Sequence, residues 1–141
     1  MDVRFWFDPL CPWCWITSHW VDVVAPRRDL SVEWLPIALK VRNEGTDLDP
    51  EYERRVAPAM ERSFALLRVV EALREAGQAD DVRDVYVAFG RHFHHDTDGM
   101  TFDVADALAK AGVDPAFADA YDDESWNEHV RRSTREAEAV A

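Results

Sequence analysis

The chain has only two cysteines in 141 residues, and both fall in one short stretch, "FDPLCPWCWITSHW". So few exclude a disulfide-rich secreted scaffold. Basic residues are also scarce: 16 Lys and Arg stand against 28 Asp and Glu, a formal net charge of -12. Nucleic acid and anionic membrane surfaces both call for a basic footprint, so neither is expected as a partner. No apolar run approaches the ~20 residues of a membrane-spanning helix. The opening "MDVRFWFDPL" lacks the basic segment and apolar core of an export signal. The expected location is therefore the cytoplasm, where thiols are held reduced and a structural disulfide is not expected. Lysine is nearly missing, with fourteen of the sixteen basic residues being Arg, which points to genome composition more than to function.

What is present is ample apolar material for one domain. Hydrophobic residues make up 48% of the chain and aromatics 11%, enough to exclude wholesale disorder. Val3 to Phe7, "VRFWF", is a short apolar run stopped by Asp8-Pro9, and reads as a buried strand followed by a turn. A helix is predicted from Cys11 or Pro12, since proline suits a first turn where its missing N–H has no intrahelical role. Trp13, Ile16, Trp20, Val23 and Val24 recur at helical spacing, and Pro26, Arg27 and Arg28 mark the end. "LSVEWLPIAL" is a second strand candidate. Strand, helix and strand within some forty residues make a βαβ unit with a parallel pair.

Beyond "VRNEGTDLDP" only helical periodicity remains. Helices are predicted over about Glu51–Ala76, closed by Gly77 and kinked or broken at Pro58, and over about Asp81–Phe93. A third spans about Thr101–Ala111 before Gly112, a fourth follows Asp114-Pro115, and "DDESWNEHVRRSTREAEAVA" reads as a fifth. The predicted organisation is a βαβ unit in residues 1–45 and a helical domain in residues 46–141.

Two cysteines at C-x-x-C spacing point to redox or metal chemistry. Disulfide exchange needs an accessible, stabilised thiolate and a second thiol to resolve the mixed disulfide. Cys11 sits where a strand ends and a helix begins, so unpaired N–H groups and the positive end of the helix dipole favour its ionised form. Cys14 follows three residues later on the same face, deeper in the helix. Cys11 is then the attacker and Cys14 the resolver, with Pro12 and Trp13 tuning the couple. A zinc site is the weaker reading, because it needs four ligands and the remaining candidates are His92, His94 and His95. A pair of inert core thiols is the bland alternative.

"FWFDPLCPWCWI" resembles the start of the DsbA-like thioredoxin superfamily, in which a strand delivers a C-P-x-C pair to a helix N-terminus. "MERSFALLRVVEALREAG" and "VYVAFGRHFHHDTDGMTFDVADALAKAGVD" are similar to the helical insertion of cytosolic members. Within that family the "FDPLCPWCWIT" string is most similar to the mycothiol-dependent reductases of actinobacteria. Related isomerases and kappa-type glutathione transferases share the layout but carry serine in place of Cys11. The resemblance implies an α/β, thioredoxin-like fold and a thiol–disulfide oxidoreductase with no tightly bound cofactor and no metal. Mycothiol or a similar small thiol would be the co-substrate, and disulfides or small electrophiles the substrates.

The resemblance further implies substrate-side positions for Pro12, Trp13, Asn43 and Tyr52. His94, in "GRHFHHDTDG", is a candidate on the same side. His19 lies too far along the helix to serve Cys11 as a base, and Asp8 either opposes the thiolate or shapes the turn. Members of the family continue into a cis-proline loop, two more strands and a helix, which this sequence lacks. The expectation is a C-terminal ββα part missing from the fold, and a strand edge open to homo-oligomer formation. The alternative function is a non-catalytic or truncated module that acts in assembly.

Overall fold

The structure, a computed structural model, describes residues 2–95 and 102–140. It is a mixed α/β arrangement, mostly helical, with one small sheet. Strand β1 (Asp2–Phe7) and strand β2 (Ser31–Pro36) run parallel, joined by helix α1 (Pro12–Arg27). In register, Phe5 faces Trp34 and Phe7 faces Pro36. β1 pairs with β2 alone, so its other edge carries no strand among the described residues. The β2 ladder ends at Pro36, short of the apolar tail "IAL", and Leu39–Arg42 instead form a one-turn helix, α2. That turn has no signature in a run so apolar.

α1 overruns Pro26 by one residue and is closed by Asp29, which takes a positive φ of 53°. An aspartate tolerates this conformation better than most residues, and it lets the Leu30 N–H reach the Ala25 carbonyl at 2.9 Å. The apolar residues at helical spacing do not form the packed face. Trp13, Ile16, Trp20 and Val23 are 75%, 61%, 64% and 52% exposed, whereas Trp15, Ser18 and Val21 are buried. α1 has apolar side chains on two sides, and periodicity alone picks out the wrong one.

Helix α3 (Pro50–Glu75) is the axis of the molecule. Pro58 does not break it: residues 51–62 lie mostly in solvent, where water can serve the carbonyl that loses its partner. From Ser63 to Leu73 nearly every residue is buried, the pattern of a helix packed on all sides. Gly77, at φ +80°, ends it and lets the Gln78 N–H return to the Leu73 carbonyl at 2.9 Å. Helices α4 (Val82–His94) and α6 (Asn127–Val140) pack against it, and α5 (Val104–Lys110) packs on α4. The predicted fourth helix is a 3-10 segment, Pro115–Asp122.

One hydrophobic cluster joins the sheet to the helices. Phe7 and Trp34 meet Tyr86 of α4, with ring centroids 4.3 and 5.9 Å apart, and Phe64, Leu67, Val70 and Phe89 complete the centre. α6 fastens the end of β2: Ser133 Oγ donates to the Pro36 carbonyl at 2.6 Å, and the Ala38 N–H donates to Thr134 Oγ1 at 3.0 Å. No helix among the described residues is long and apolar enough to cross a membrane.

Candidate active site

The site is built where β1 stops. The Cys11 N–H donates to the Asp8 carbonyl at 3.0 Å, closing a turn over Pro9 and Leu10. Cys11 has extended backbone (φ -71°, ψ 116°) and is the N-cap of α1, with Pro12 as the first helical residue. Its Sγ accepts the Cys14 N–H at 3.4 Å, the place a serine or aspartate oxygen usually fills. The first turn of α1 holds no acidic side chain to compete for the helix terminus.

The two thiols, both free and half-buried, are chemically unequal. The Cys11 thiol is pulled down to about 6, first by a hydrogen bond from the Cys14 thiol, then by the N–H groups of Cys14 and Trp13. Burial and the charge of Asp8 act against this. Cys14 is pushed strongly the other way, because it supplies the proton of that hydrogen bond and is desolvated. Near neutrality the pair is thus one thiolate beside one thiol. That state is ready for nucleophilic attack on sulfur.

Two further elements hold the turn. Asp8 is 2% exposed. Its Oδ1 accepts the Leu10 N–H at 2.9 Å and the Ser63 hydroxyl, while Oδ2 accepts the Leu39 N–H at 2.8 Å. From α4, His94 Nε2 lies 2.9 Å from the Pro9 carbonyl, and its ring stacks on Trp15 at 5.4 Å. Trp15 also donates its indole N–H to His95 Nε2 at 3.2 Å. The Trp15 ring presses against Gly90 of α4, where a Cβ would fall 2.3 Å from a ring carbon.

The predicted site residues divide. Cys11, Pro12, Trp13, Cys14 and His94 come together. Trp13 is almost fully in solvent beside the thiols. His94 meets the active-site turn through the Pro9 carbonyl rather than facing out, and burial holds its imidazole below the usual range. Asn43 ends α2 and turns its side chain to Met60 Sδ at 3.9 Å, while its carbonyl takes the Thr46 hydroxyl at 2.7 Å. Tyr52 is exposed, with the Arg55 guanidinium 5.5 Å over its ring. Neither is bonded to the turn that carries the thiols.

His19 Nδ1 is spent on the Trp15 carbonyl at 2.7 Å, in line with a packing role. His92 stacks on Phe102 at 4.2 Å. Residues 96–100 of the His-rich segment, and Thr101, lie outside the described residues. Among the described residues no three His, Cys, Asp or Glu side chains converge as a metal site. Sequence reasoning missed Ser63, a serine in an apolar helix face, and Trp15, whose place was signalled only by the mid-helix glycine, Gly90.

Comparison with known proteins supplies the family. The model of the Rv2466c-like family, described as mycothiol-dependent nitroreductase Rv2466c, matches residues 10–140, and the chain belongs to that family. It is 29% identical over 133 residues to the uncharacterized protein Rv2286c of Mycobacterium tuberculosis (strain ATCC 25618 / H37Rv). That match covers 92% of this chain and 55% of the relative, so the chain spans about half the length of the curated relative it matches.

Proposed function

We propose that this protein is a cytoplasmic thiol–disulfide oxidoreductase of DsbA type, reducing disulfides or small electrophiles with mycothiol or a similar small thiol as reductant. The observation that carries the proposal is the position of Cys11. It caps a helix with no acid in its first turn, and Cys14 donates to its sulfur. Membership of a family described as mycothiol-dependent supports the choice of reductant. A parallel strand pair bridged by a helix that starts at the cysteine motif supports a thioredoxin-like reading of residues 1–45. The described helices beyond residue 45 then form the wall behind it.

In the proposed cycle the Cys11 thiolate attacks one sulfur of a substrate disulfide, forming a mixed disulfide and releasing the other sulfur as a thiolate that takes a proton from solvent. Cys14 attacks Cys11, losing its proton to the second leaving sulfur and closing the Cys11–Cys14 bond. Two small-thiol molecules then reopen that bond, leaving as their own disulfide and returning the Cys11 thiolate, the Cys14 thiol and one proton to solvent. Pro12 and Trp13 form the rim that the substrate meets, and His94 holds the loop beneath it. Asn43 and Tyr52 are assigned to the outer edge of the substrate side.

A second reading, assembly through the uncovered side, is favoured by one observation. The apolar side chains of Trp13, Ile16, Trp20 and Val23 lie in solvent on a helix next to a strand edge that no strand among the described residues covers. Trapping separates the two. Cys14→Ser protein mixed with mycothiol disulfide should accumulate one mycothiol per chain on Cys11, seen by intact mass. Cys11→Ser should accumulate none. Equal labelling of both variants would reject the redox reading, while self-association of both in sedimentation would favour assembly.

A further inference from the structure

Helices α3 and α4 hold the cysteine turn, and a cleft between them is left unused by the thiol chemistry. It has a volume of about 640 Å³, ample for a small organic molecule. Arg62 and Leu66 of α3, His92 of α4, the opening of α5 and the end of the 3-10 segment line it, and no described residue of the cysteine turn does. Its wall is apolar and flat. Leu66 is buried, and the His92 ring stacks on Phe102 with centroids 4.2 Å apart and planes at 24°. Phe89 meets the edge of Phe102 at 6.0 Å and fixes that ring. A fixed ring face favours another aromatic ring as its partner. Ala105 and Ala118 add only methyl groups, which leaves room beside it.

The charge that the cleft offers is a single guanidinium. Arg62 lies over the Phe93 ring, 5.8 Å from its centroid, and makes no ion pair among the described residues. A guanidinium over a ring keeps its N–H donors in the fork that matches a carboxylate. Arg68, further along α3, is the contrast. It also lies over a ring, Phe64 at 5.2 Å, but it is bonded to Asn127 Oδ1 at 2.6 Å and to the Tyr121 carbonyl at 2.8 Å. The Tyr121 phenol lines the cleft as well. Burial pushes it up and the Arg62 charge acts the other way, so a neutral hydroxyl shares the region of the guanidinium. Asp103 and Asp122 are the exposed members of the lining, and Asp103 is taken up as the cap of α5, accepting the Asp106 N–H at 3.1 Å. Two acids, in a chain of net charge -12, oppose a doubly charged anion far more than a single carboxylate.

We propose that this cleft is a binding site for a small aromatic carboxylic acid, taken as its monoanion. The ring lies against Phe102 and Leu66, the carboxylate takes the Arg62 fork, and the Tyr121 hydroxyl donates to the same carboxylate. The stacked rings select the shape and the one open guanidinium selects the charge. Binding here needs no redox-active cysteine, so it stands whether or not Cys11 reacts.

The test is calorimetric titration of the full chain with naphthoate, naphthol and naphthyl phosphate, each substituted at the same ring position. Naphthoate should bind once per chain with a Kd on the order of 0.1 mM. The phosphate should bind about tenfold more weakly, since its second charge meets Asp103 and Asp122. Arg62→Gln should weaken naphthoate about tenfold and leave naphthol unchanged. Ala105→Phe, which fills the space beside the ring, should abolish binding of all three. Cys11→Ser should bind like the wild type. Should Ala105→Phe not fold, Arg62→Gln decides alone. Naphthoate that fails to bind at several millimolar, binds Arg62→Gln equally well, survives in folded Ala105→Phe, or binds no better than the phosphate would overturn the proposal. None of these results touches the redox reading, which only Cys11 reactivity decides.

Discussion

Helices α1 and α3 begin in the same way and are used differently. Each opens with a cap residue followed by proline, Cys11-Pro12 in one and Asp49-Pro50 in the other. In each, the cap side chain accepts a backbone N–H at 3.4 Å, from Cys14 in α1 and from Glu51 in α3. The α3 terminus is lined with acidic side chains: Asp49 at the cap, then Glu51 and Glu53 in the first turn. The α1 terminus has no acid in that turn, and its cap is a thiol held as a thiolate near neutrality. A helix terminus favours negative charge by a similar amount in either place. In α3 that preference goes to stability, and in α1, on the proposed function, to making a nucleophile.

The largest effect that should break the likeness is Cys11→Ser. Serine caps a helix well, so α1 should keep its start and the melting temperature should hardly move. Turnover and mixed-disulfide formation should be lost entirely, as a kinetic assay with a chromogenic disulfide would show. Next in size is Gly90→Ala, which drives a methyl group into the Trp15 ring and loosens α4 from the helix that carries the thiols. The expected loss is about 1–3 kcal/mol in urea unfolding, with His94 displaced from the Pro9 carbonyl.

Asp49→Ala sharpens the comparison from the other side. It should cost about 1 kcal/mol of stability and leave Cys11 alkylation untouched, so one terminus is shown to be structural only. Trp13→Ala should be the mildest, changing stability by no more than ~0.5 kcal/mol because the side chain is exposed. Its effect should appear instead as a higher KM for bulky substrates.

Local chemistry was readable from sequence, and long-range chemistry was not. The strand stop at Asp8-Pro9, the Cys11-Pro12 helix start and the glycines that end α3 and α5 each depend on residues within one turn, so single positions announce them. Pro58 misled because its cost depends on whether water reaches the carbonyl it leaves unpaired, which is a property of the fold. The recurring apolar residues of α1 announced a helix but not its packed side, because apolar residues occupy two of its sides and only packing decides between them. The partners of Asp8 come from 31 and 55 residues away. No spacing rule reaches that far, although the buried serine among apolar residues of α3 and the glycine in the middle of α4 marked where something unusual must pack.

The account rests on the Cys11 thiol being ionised near neutrality by its place at the head of α1. Alkylation of the reduced protein with iodoacetamide across pH 4 to 10, followed site by site by mass spectrometry, measures this directly. Because the folded protein holds this thiol below its ordinary range, the rate should rise through a midpoint of about 6 and be flat above it, with Cys14 unlabelled throughout. A single rise near ~8.5, shared by both cysteines, would contradict it.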